Sequence, residues 1–353
     1  MNNLLIKEIV SEIRGVVSDK QRKPIHRIIY ELLSYLIINR DFPKYYSRNL
    51  LHRRDILNYL DYYCGKNEFY KIRTRVKDLQ LMPFLENKVL FHYHFLGSGI
   101  RLPIHLGYNI GTKYFTSDGS RAIPDLVSFS SLVQQQISMT RSGSVFIKPI
   151  DGFGGRDCFR VDAGMLGSDY VADSYKKIST SKYLFQETIV QHPRIKEVYA
   201  NSINTLRIHS CTYKSGQTDL ISAYMRFGSR GSFVEGGGLG TIFIHIDMNT
   251  GKLGTFAYKN FEYGGDKFTR HPDTGYEFSG FQIPHFKEVL DMARAAAAIL
   301  PYRLVGWDIA VSETGPVLLE GNINFGFWGA QIADSGFKKN KVFRTFFEEL
   351  ENK

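Results

Sequence analysis

Two carboxylates and an amide stand close together in the run VGWDIAVSETGPVLLEGNIN, Val305 to Asn324, near the C-terminal end of this 353-residue chain. If Glu313, Thr314 and Gly315 form a three-residue hairpin loop, Ser312 faces Pro316 and, counting back along antiparallel strands, Asp308 faces Glu320. Asn322, two residues on, shares that face. Opposed carboxylates on adjacent strands repel each other unless a cation lies between them, and such a set of oxygen donors is what magnesium requires. Trp307, Ile309 and Val311 then point the other way, into a core, and a register slip of one residue would bury Asp308 there. The competing reading is a hairpin whose acids simply face solvent.

The segment VFIKPIDGFGGRDCFRV places Lys148 at the end of an apolar strand, followed by Gly152, Gly154 and Gly155 and then a second strand. Glycines let backbone N–H groups approach a phosphate closely, and the lysine supplies a point charge. A glycine-rich turn beside a surface lysine would read the same way. The segment matches neither GxxxxGK[ST] nor a GxGxxG opening a helix; a strand, a loop and a strand make a flap over a nucleotide. Gln186-Glu187-Thr188-Ile189-Val190 follows an apolar strand as a connector between two lobes would, with backbone groups able to meet an adenine edge, although an edge strand would look alike.

In SINTLRIHSCTY, Thr205, Arg207 and His209 fall on one face and Leu206 and Ile208 on the other, while Arg226 opposes Met225 and Phe227. Arginines in strand interiors are costly unless an anion meets them, so Arg207 and Arg226 are candidates for phosphate or acyl-phosphate contacts, or else partners of a core acid. The glycines at 236, 237, 238 and 240 suit a tight turn or close approach to substrate. His271, beside a turn, is a candidate general base or substrate contact, against the alternative of an incidental loop histidine.

These residues need elements to hold them. From about 1 to 80 the pattern is helical, with Ile25, Ile28, Ile29, Leu32 and Leu36 recurring at three- and four-residue steps. Leu85 to Tyr108 reads as a helix, a glycine stop and a short strand led in by Leu102-Pro103. From Val145 onward strands dominate, interrupted by a long helix from Pro284 to Leu300. Short turns such as Asn249-Thr250-Gly251 indicate antiparallel hairpins, so an α+β fold is expected rather than a βαβ repeat.

A chain this long, 43% apolar and 14% aromatic against 23% charged, supports a large core and two or three domains. Cys64, Cys158 and Cys211 are widely spaced and fit neither a disulfide framework nor a zinc site, which points to reduced thiols in cytosol. The opening residues lack a signal-peptide core, and no membrane-spanning segment is expected. The formal charge of +10 is uneven: Asp19 to Arg54 holds nine Lys or Arg against three acidic residues. That patch is either a solvated helix face or a surface for lipid headgroups or an anionic saccharide. Nucleic acid is not expected, because no recognised motif accompanies the charge.

Taken in order, NKVLF…GIRLP, VFIKPIDGFGG, LFQETIVQHP, NTLRI, MRFG, HPDTG, GWDIAV and LLEGN resemble the ATP-grasp superfamily over about residues 85 to 335, and most closely its sugar-transfer-associated branch, found with polysaccharide biosynthesis genes. The resemblance implies two α+β lobes clamping ATP, with an N-terminal helical extension (1–84), a preceding α/β segment (85–141), a small lobe (142–200) and a large lobe (201–353). It implies Lys148 on the α- and β-phosphates, a lid at Asp151 to Gly155, a hinge near Gln186, Glu187 and Ile189, and Mg2+, with Mn2+ as an alternative, on Asp308, Glu320 and Asn322. Lys88 aligns with the segment that precedes the fold in relatives. Two departures stand out. The arginine that many family ligases place two residues before the metal aspartate is Gly306 here, which passes its role to Arg207 or Arg226. The Asp-Asn pair of the branch is replaced by Val234-Glu235-Gly236.

The implied reaction joins a carboxylate, such as a sugar acid of the cell envelope or capsule, to an amine or amino acid through an acyl phosphate. A kinase acting on a sugar or polyol hydroxyl and a non-catalytic scaffold in a glycosyltransferase complex are the alternatives. The cytoplasm, with peripheral attachment at the inner face of the membrane, is the expected location.

Overall fold

The strand-forming stretches collect into two sheets, and every strand pair among the described residues is antiparallel. The computed structural model describes residues 3–152, 154–232 and 241–352. The glycine cluster at 236–240 and the Val234-Glu235-Gly236 departure lie outside them. The first sheet contains β1 (His105–Ile110), β2 (Lys113–Thr116), β3 (Gly119–Ala122), β4 (Ser144–Pro149), β5 (Phe159–Asp162) and β6 (Lys182–Glu187), in the order β3-β2-β1-β6-β4-β5. The second contains β7 (Thr205–Thr212), β8 (Thr218–Phe227), β9 (Ile242–Ile246), β10 (Leu253–Tyr258), β11 (Lys267–Phe268), β12 (Leu304–Ser312) and β13 (Gly315–Asn322), in the order β11-β10-β9-β8-β7-β12-β13.

Each sheet has its own apolar core. In the first, Val145, Ile147, Val161 and Phe185 meet Phe129, Leu132 and Val133 of the helix Leu126–Met139 and Val171 and Ile178 of the helix Asp169–Ile178. The former helix starts where it does because the Asp125 carboxylate accepts the Ser128 backbone N–H at 2.8 Å. In the second, the helix Phe286–Ile299 lays Val289, Leu290, Ala293, Ala296 and Ala297 on the sheet, and every residue of β12 is buried. Burial of each large aliphatic side chain of this kind stabilises the fold by about 1.5–3 kcal/mol.

The β12–β13 hairpin differs from its expected register in two places that cancel. The turn is tighter than a three-residue loop, because Ser312 pairs with Gly315 and Val311 with Pro316. A bulge then intervenes, with Ile309 opposite Leu318 but Asp308 opposite Glu320, so Leu319 is the extra residue. Asp308 and Glu320 end up directly across from each other, and Trp307, Ile309 and Val311 are fully buried.

The N-terminal region is helical at Asn3–Ser18, Ile25–Asn39 and Lys66–Arg75, with irregular chain between the last two. Ile28, Tyr35, Tyr46, Leu51, Tyr59, Tyr62 and Cys64 form a small core of their own. Leu50, Tyr63, Phe69, Ile72 and Val76 belong instead to the core of the seven-stranded sheet. Gln331 joins the two parts, accepting the Tyr63 N–H at 2.7 Å and donating to the Tyr63 carbonyl at 2.9 Å. The expected boundary near residue 84 therefore does not separate two cores. Nor is the basic stretch a bare patch: Lys23 and Arg27 pair with buried Glu31, and Arg53 pairs with Asp19.

Candidate active site between the two sheets

A cleft of about 230 Å3 lies where the two sheets face each other, and thirteen of the fourteen site candidates named from sequence line it. From the first sheet and its loops come Lys148, Gly152, Gly154, Gly155, Gln186, Glu187 and Ile189, with Lys88 from the helix Lys88–Phe95. From the second come Arg207, Arg226, Asp308, Glu320 and Asn322.

Asp308 is the centre of the polar end. Arg207, its neighbour across the β7–β12 ladder, binds its Oδ1 through Nε and its Oδ2 through Nη2, the latter at 3.0 Å. The Arg226 Nη2 lies 2.8 Å from Oδ2 and also donates to Thr205 Oγ1 at 2.7 Å. Burial by itself would raise the Asp308 pKa, but the charges of Arg207 and Arg226 outweigh it and hold the carboxyl well below its usual range. Arg207, buried too, stays protonated against its own desolvation because Asp308 faces it.

Gly306 explains how Arg207 reaches that position. A Cβ on Gly306 would stand 2.9 Å from Arg207 Cδ, so the missing side chain is the space in which the arginine lies. The adjoining His209 donates or accepts through Nδ1 with Ser222 Oγ at 2.9 Å and packs on Phe325 with ring centroids 4.6 Å apart. Desolvation, reinforced by Arg207, keeps it neutral.

Glu320 is partly exposed opposite Asp308, and the Asn322 amide bridges them, its Nδ2 lying 3.1 Å from Asp308 Oδ2 and 3.2 Å from Glu320 Oε1. Amide nitrogen and oxygen are assigned from the hydrogen-bond network, and a half-turn of the same group presents Oδ1 to the same point. Two opposed carboxylates and an amide oxygen are hard donors suited to magnesium, and the set fits such an ion.

Lys148 and Lys88 face this cluster. Lys148, on β4, is buried; desolvation lowers its pKa, while Glu320 and Asp308 pull it back up. The Lys88 Nζ donates to the Gly152 carbonyl at 2.6 Å and lies 4.0 Å from Glu320 Oε2, so the lysine ties the lid loop to the acidic end. Gly154 and Gly155 both have φ of 68°, a left-handed pair in succession that side chains rarely adopt. Phe153 lies outside the described residues. Counting the charged side chains that line the cleft, Lys88, Lys148, Arg156, Arg207 and Arg226 stand against Glu187, Asp308 and Glu320, five minus three, a net +2. Such a lining suits a polyphosphate.

The other end is apolar, with Phe146, Ile189, Ile203 and Leu319. The Glu187 carboxylate turns away from it and accepts the backbone N–H groups of Arg141 and Ser142 at 2.6 and 3.1 Å. What the connector offers a ligand is therefore backbone rather than that carboxylate. Arg156, Cys158, Thr205 and Phe146 also line the cleft without having been singled out as site residues. Arg156 adjoins the glycine loop and Thr205 shares the Arg207 face, which are the signals that mark them; Phe146 and Cys158 have none. Burial pushes the Cys158 thiol up to about 11.

His271 is the one candidate that does not line the cleft. It is buried, its Nε2 sits 2.8 Å from the Gly228 carbonyl, and its Nδ1 accepts the Asp273 N–H at 3.2 Å. Tyr199 stacks on it at 4.9 Å. Those bonds pin the turn after β11, a structural task.

The family model for sugar-transfer associated ATP-grasp proteins matches residues 68–343. The chain belongs to that family. Proteins of the family use ATP and Mg2+, and the α+β architecture with an N-terminal helical extension is the ATP-grasp fold. No curated protein matches the chain. Among solved structures it is similar to the ATP-grasp ligase PsnB complexed with minimal precursor, at 14% identity and a TM-score of 0.42, over 77% of this chain and 61% of that one. It is also similar to the VanG D-Ala:D-Ser ligase from Enterococcus faecalis (14%, TM-score 0.46, 78% and 63%) and to a biotin carboxylase from Campylobacter jejuni (10%, 0.48, 82% and 52%). The chain thus spans about three fifths of the length of the PsnB chain.

Proposed function

We propose that the protein is an ATP- and Mg2+-dependent carboxylate–amine ligase that joins an amine or amino acid to a sugar acid of a cell-envelope or capsular polysaccharide. The observation that carries this reading is the convergence of Asp308, Glu320 and Asn322 with Lys148, Arg207 and Arg226 on one cleft. The polysaccharide context rests on the family alone.

In this reading the adenine lies among Phe146, Ile189 and Ile203 against the Glu187–Ile189 backbone, and Lys88, Lys148 and the lid glycines hold the phosphates. Asp308, Glu320 and Asn322 would hold magnesium, which neutralises charge on the transferring phosphoryl group when bound. A substrate carboxylate oxygen bonds to the γ-phosphorus as the bond to the β-phosphate oxygen breaks, giving an acyl phosphate and ADP. The amine nitrogen then bonds to the acyl carbon, the carbon–oxygen bond to phosphate breaks, and the amine proton leaves. Arg207 and Arg226 stabilise the charge that develops on the acyl and phosphoryl oxygens, so positioning and electrostatics do the work without a protein nucleophile.

Beside the acidic cluster a second hollow is lined by Glu86, Asp151, Asn324 and Phe325 along with Arg207 and Asn322. Its carboxylates suit a cationic amine. Incubation with ATP, Mg2+, candidate sugar acids and hydroxylamine tests the reaction: a hydroxamate is expected. ATP consumption that yields a phosphorylated sugar and no hydroxamate would establish the kinase alternative instead, and no turnover across sugar acids and sugars would favour the scaffold.

A further inference from the structure

The helix Ile25–Asn39 buries Ile28 and Tyr35 but leaves a second aliphatic stripe on its outer side. An amphipathic helix on a soluble protein hides its aliphatic stripe and shows its charges. Here Glu31 is fully buried, bonded to Lys23 Nζ at 2.7 Å, Arg27 Nε at 2.8 Å and Tyr46 Oη at 2.6 Å. Meanwhile Ile29 is 51%, Leu33 53% and Ile37 74% exposed, and Phe42, just past the helix end, is 62% exposed. Steps of four residues place Ile25, Ile29, Leu33 and Ile37 in one continuous row.

The exposed charges near this row are of one sign. Lys20 precedes it, and Arg40 and Lys44 follow it; all three are exposed, while Arg27, within its span, is paired with Glu31 and the acids of the same stretch, Glu31 and Asp41, are buried. An aliphatic row with a cationic rim fits the surface of an anionic bilayer, where the side chains enter the acyl boundary and the cations meet headgroup phosphates. A second copy of the chain would bring the same cations against one another. No helix among the described residues is long and apolar enough to cross a membrane, so the helix lies in the surface rather than through it.

We infer that the Ile25–Asn39 helix docks the protein on anionic lipid through Ile29, Leu33 and Ile37, with Arg40 and Lys44 at its rim. The proposal is independent of the reaction at the cleft.

The test is co-sedimentation of the full chain with vesicles of phosphatidylcholine alone or mixed with phosphatidylglycerol, alongside light scattering of the protein by itself. The wild type should pellet with the mixed vesicles and be released by salt. Leu33→Glu with Ile37→Glu should lower that partition by about tenfold or more, with the circular dichroism spectrum and ATP-induced thermal shift unchanged. Arg40→Gln with Lys44→Gln should weaken binding to the mixed vesicles selectively. Wild type that stays in the supernatant, or charge-inserted protein that pellets equally well, would overturn the proposal. So would a vesicle-independent dimer that Leu33→Glu with Ile37→Glu dissociates.

Discussion

Arg207 on β7 stands directly opposite Asp308 on β12, and its guanidinium meets both oxygens of that carboxylate while Arg226 approaches one of them from β8. The three charges are fixed by strands of one sheet rather than by loops.

Removing the shared anion leaves two buried or half-buried guanidiniums facing each other. Asp308→Ala should therefore destabilise the fold by about 3–5 kcal/mol in urea unfolding. Arg207→Ala should cost less, because Arg226 and Asn322 still satisfy Asp308. The double variant should cost less than the two single effects added, and simple additivity would show that the pair is not coupled.

Glu320 is partly exposed, and among the described residues its side chain accepts from the Asn322 amide at 3.2 Å and lies 4.0 Å from Lys88 Nζ. Glu320→Gln should alter stability by no more than about 0.5 kcal/mol yet reduce Mg2+-dependent ATP turnover about a hundredfold or more. Unchanged turnover would remove Glu320 from the reaction. Lys148→Ala should instead shrink the stabilisation by saturating MgATP, which for a ligand at a hundred times its Kd is about 2.7 kcal/mol.

Gly306→Ala introduces a methyl group against Arg207 Cδ and should shift the guanidinium off Asp308. Turnover should fall in the wild-type background and change little further in an Arg207→Ala background. Equal losses in both would mean that the glycine acts by some other route.

Burial holds His52 and His105 down to about 4, against 6.5 for a free imidazole. Below pH 6.5 the unfolded chain then binds more protons than the folded one, so their contribution is complete above about 6.5 and declines as pH falls towards 4. The slope is at most about 1.4 kcal/mol per pH unit for each histidine. His105, which stacks on His92 at 4.6 Å, can become Phe without losing an aromatic neighbour. His105→Phe should flatten the acid limb of a stability–pH curve by one proton, and an unaltered limb would count against the assignment.

Much of this was legible in the residues themselves. Alternation along Val145 to Pro149 and Leu304 to Asn322 gives the strands, and the period of two puts Asp308, Glu320 and Asn322 on one face. The bulge at Leu319 was not legible, because nothing in PVLLEGN marks one residue as extra; a loop counted one residue too long happened to compensate. The apolar steps of Ile25 to Leu36 announce a helix but not which side is covered, and the buried side turned out to carry Glu31. The place of His271 away from the cleft was not legible, because a histidine near a turn carries the same sequence signal whether it serves chemistry or pins the chain.

Asp308 is already satisfied by two guanidiniums before any ligand arrives, inside a cleft whose lining is positive. A dissolved divalent ion alone would have to displace fixed cations to reach it. On the proposed reading the nucleotide should enter first or carry its ion with it, and titration with magnesium chloride by itself should leave the protein thermally unchanged.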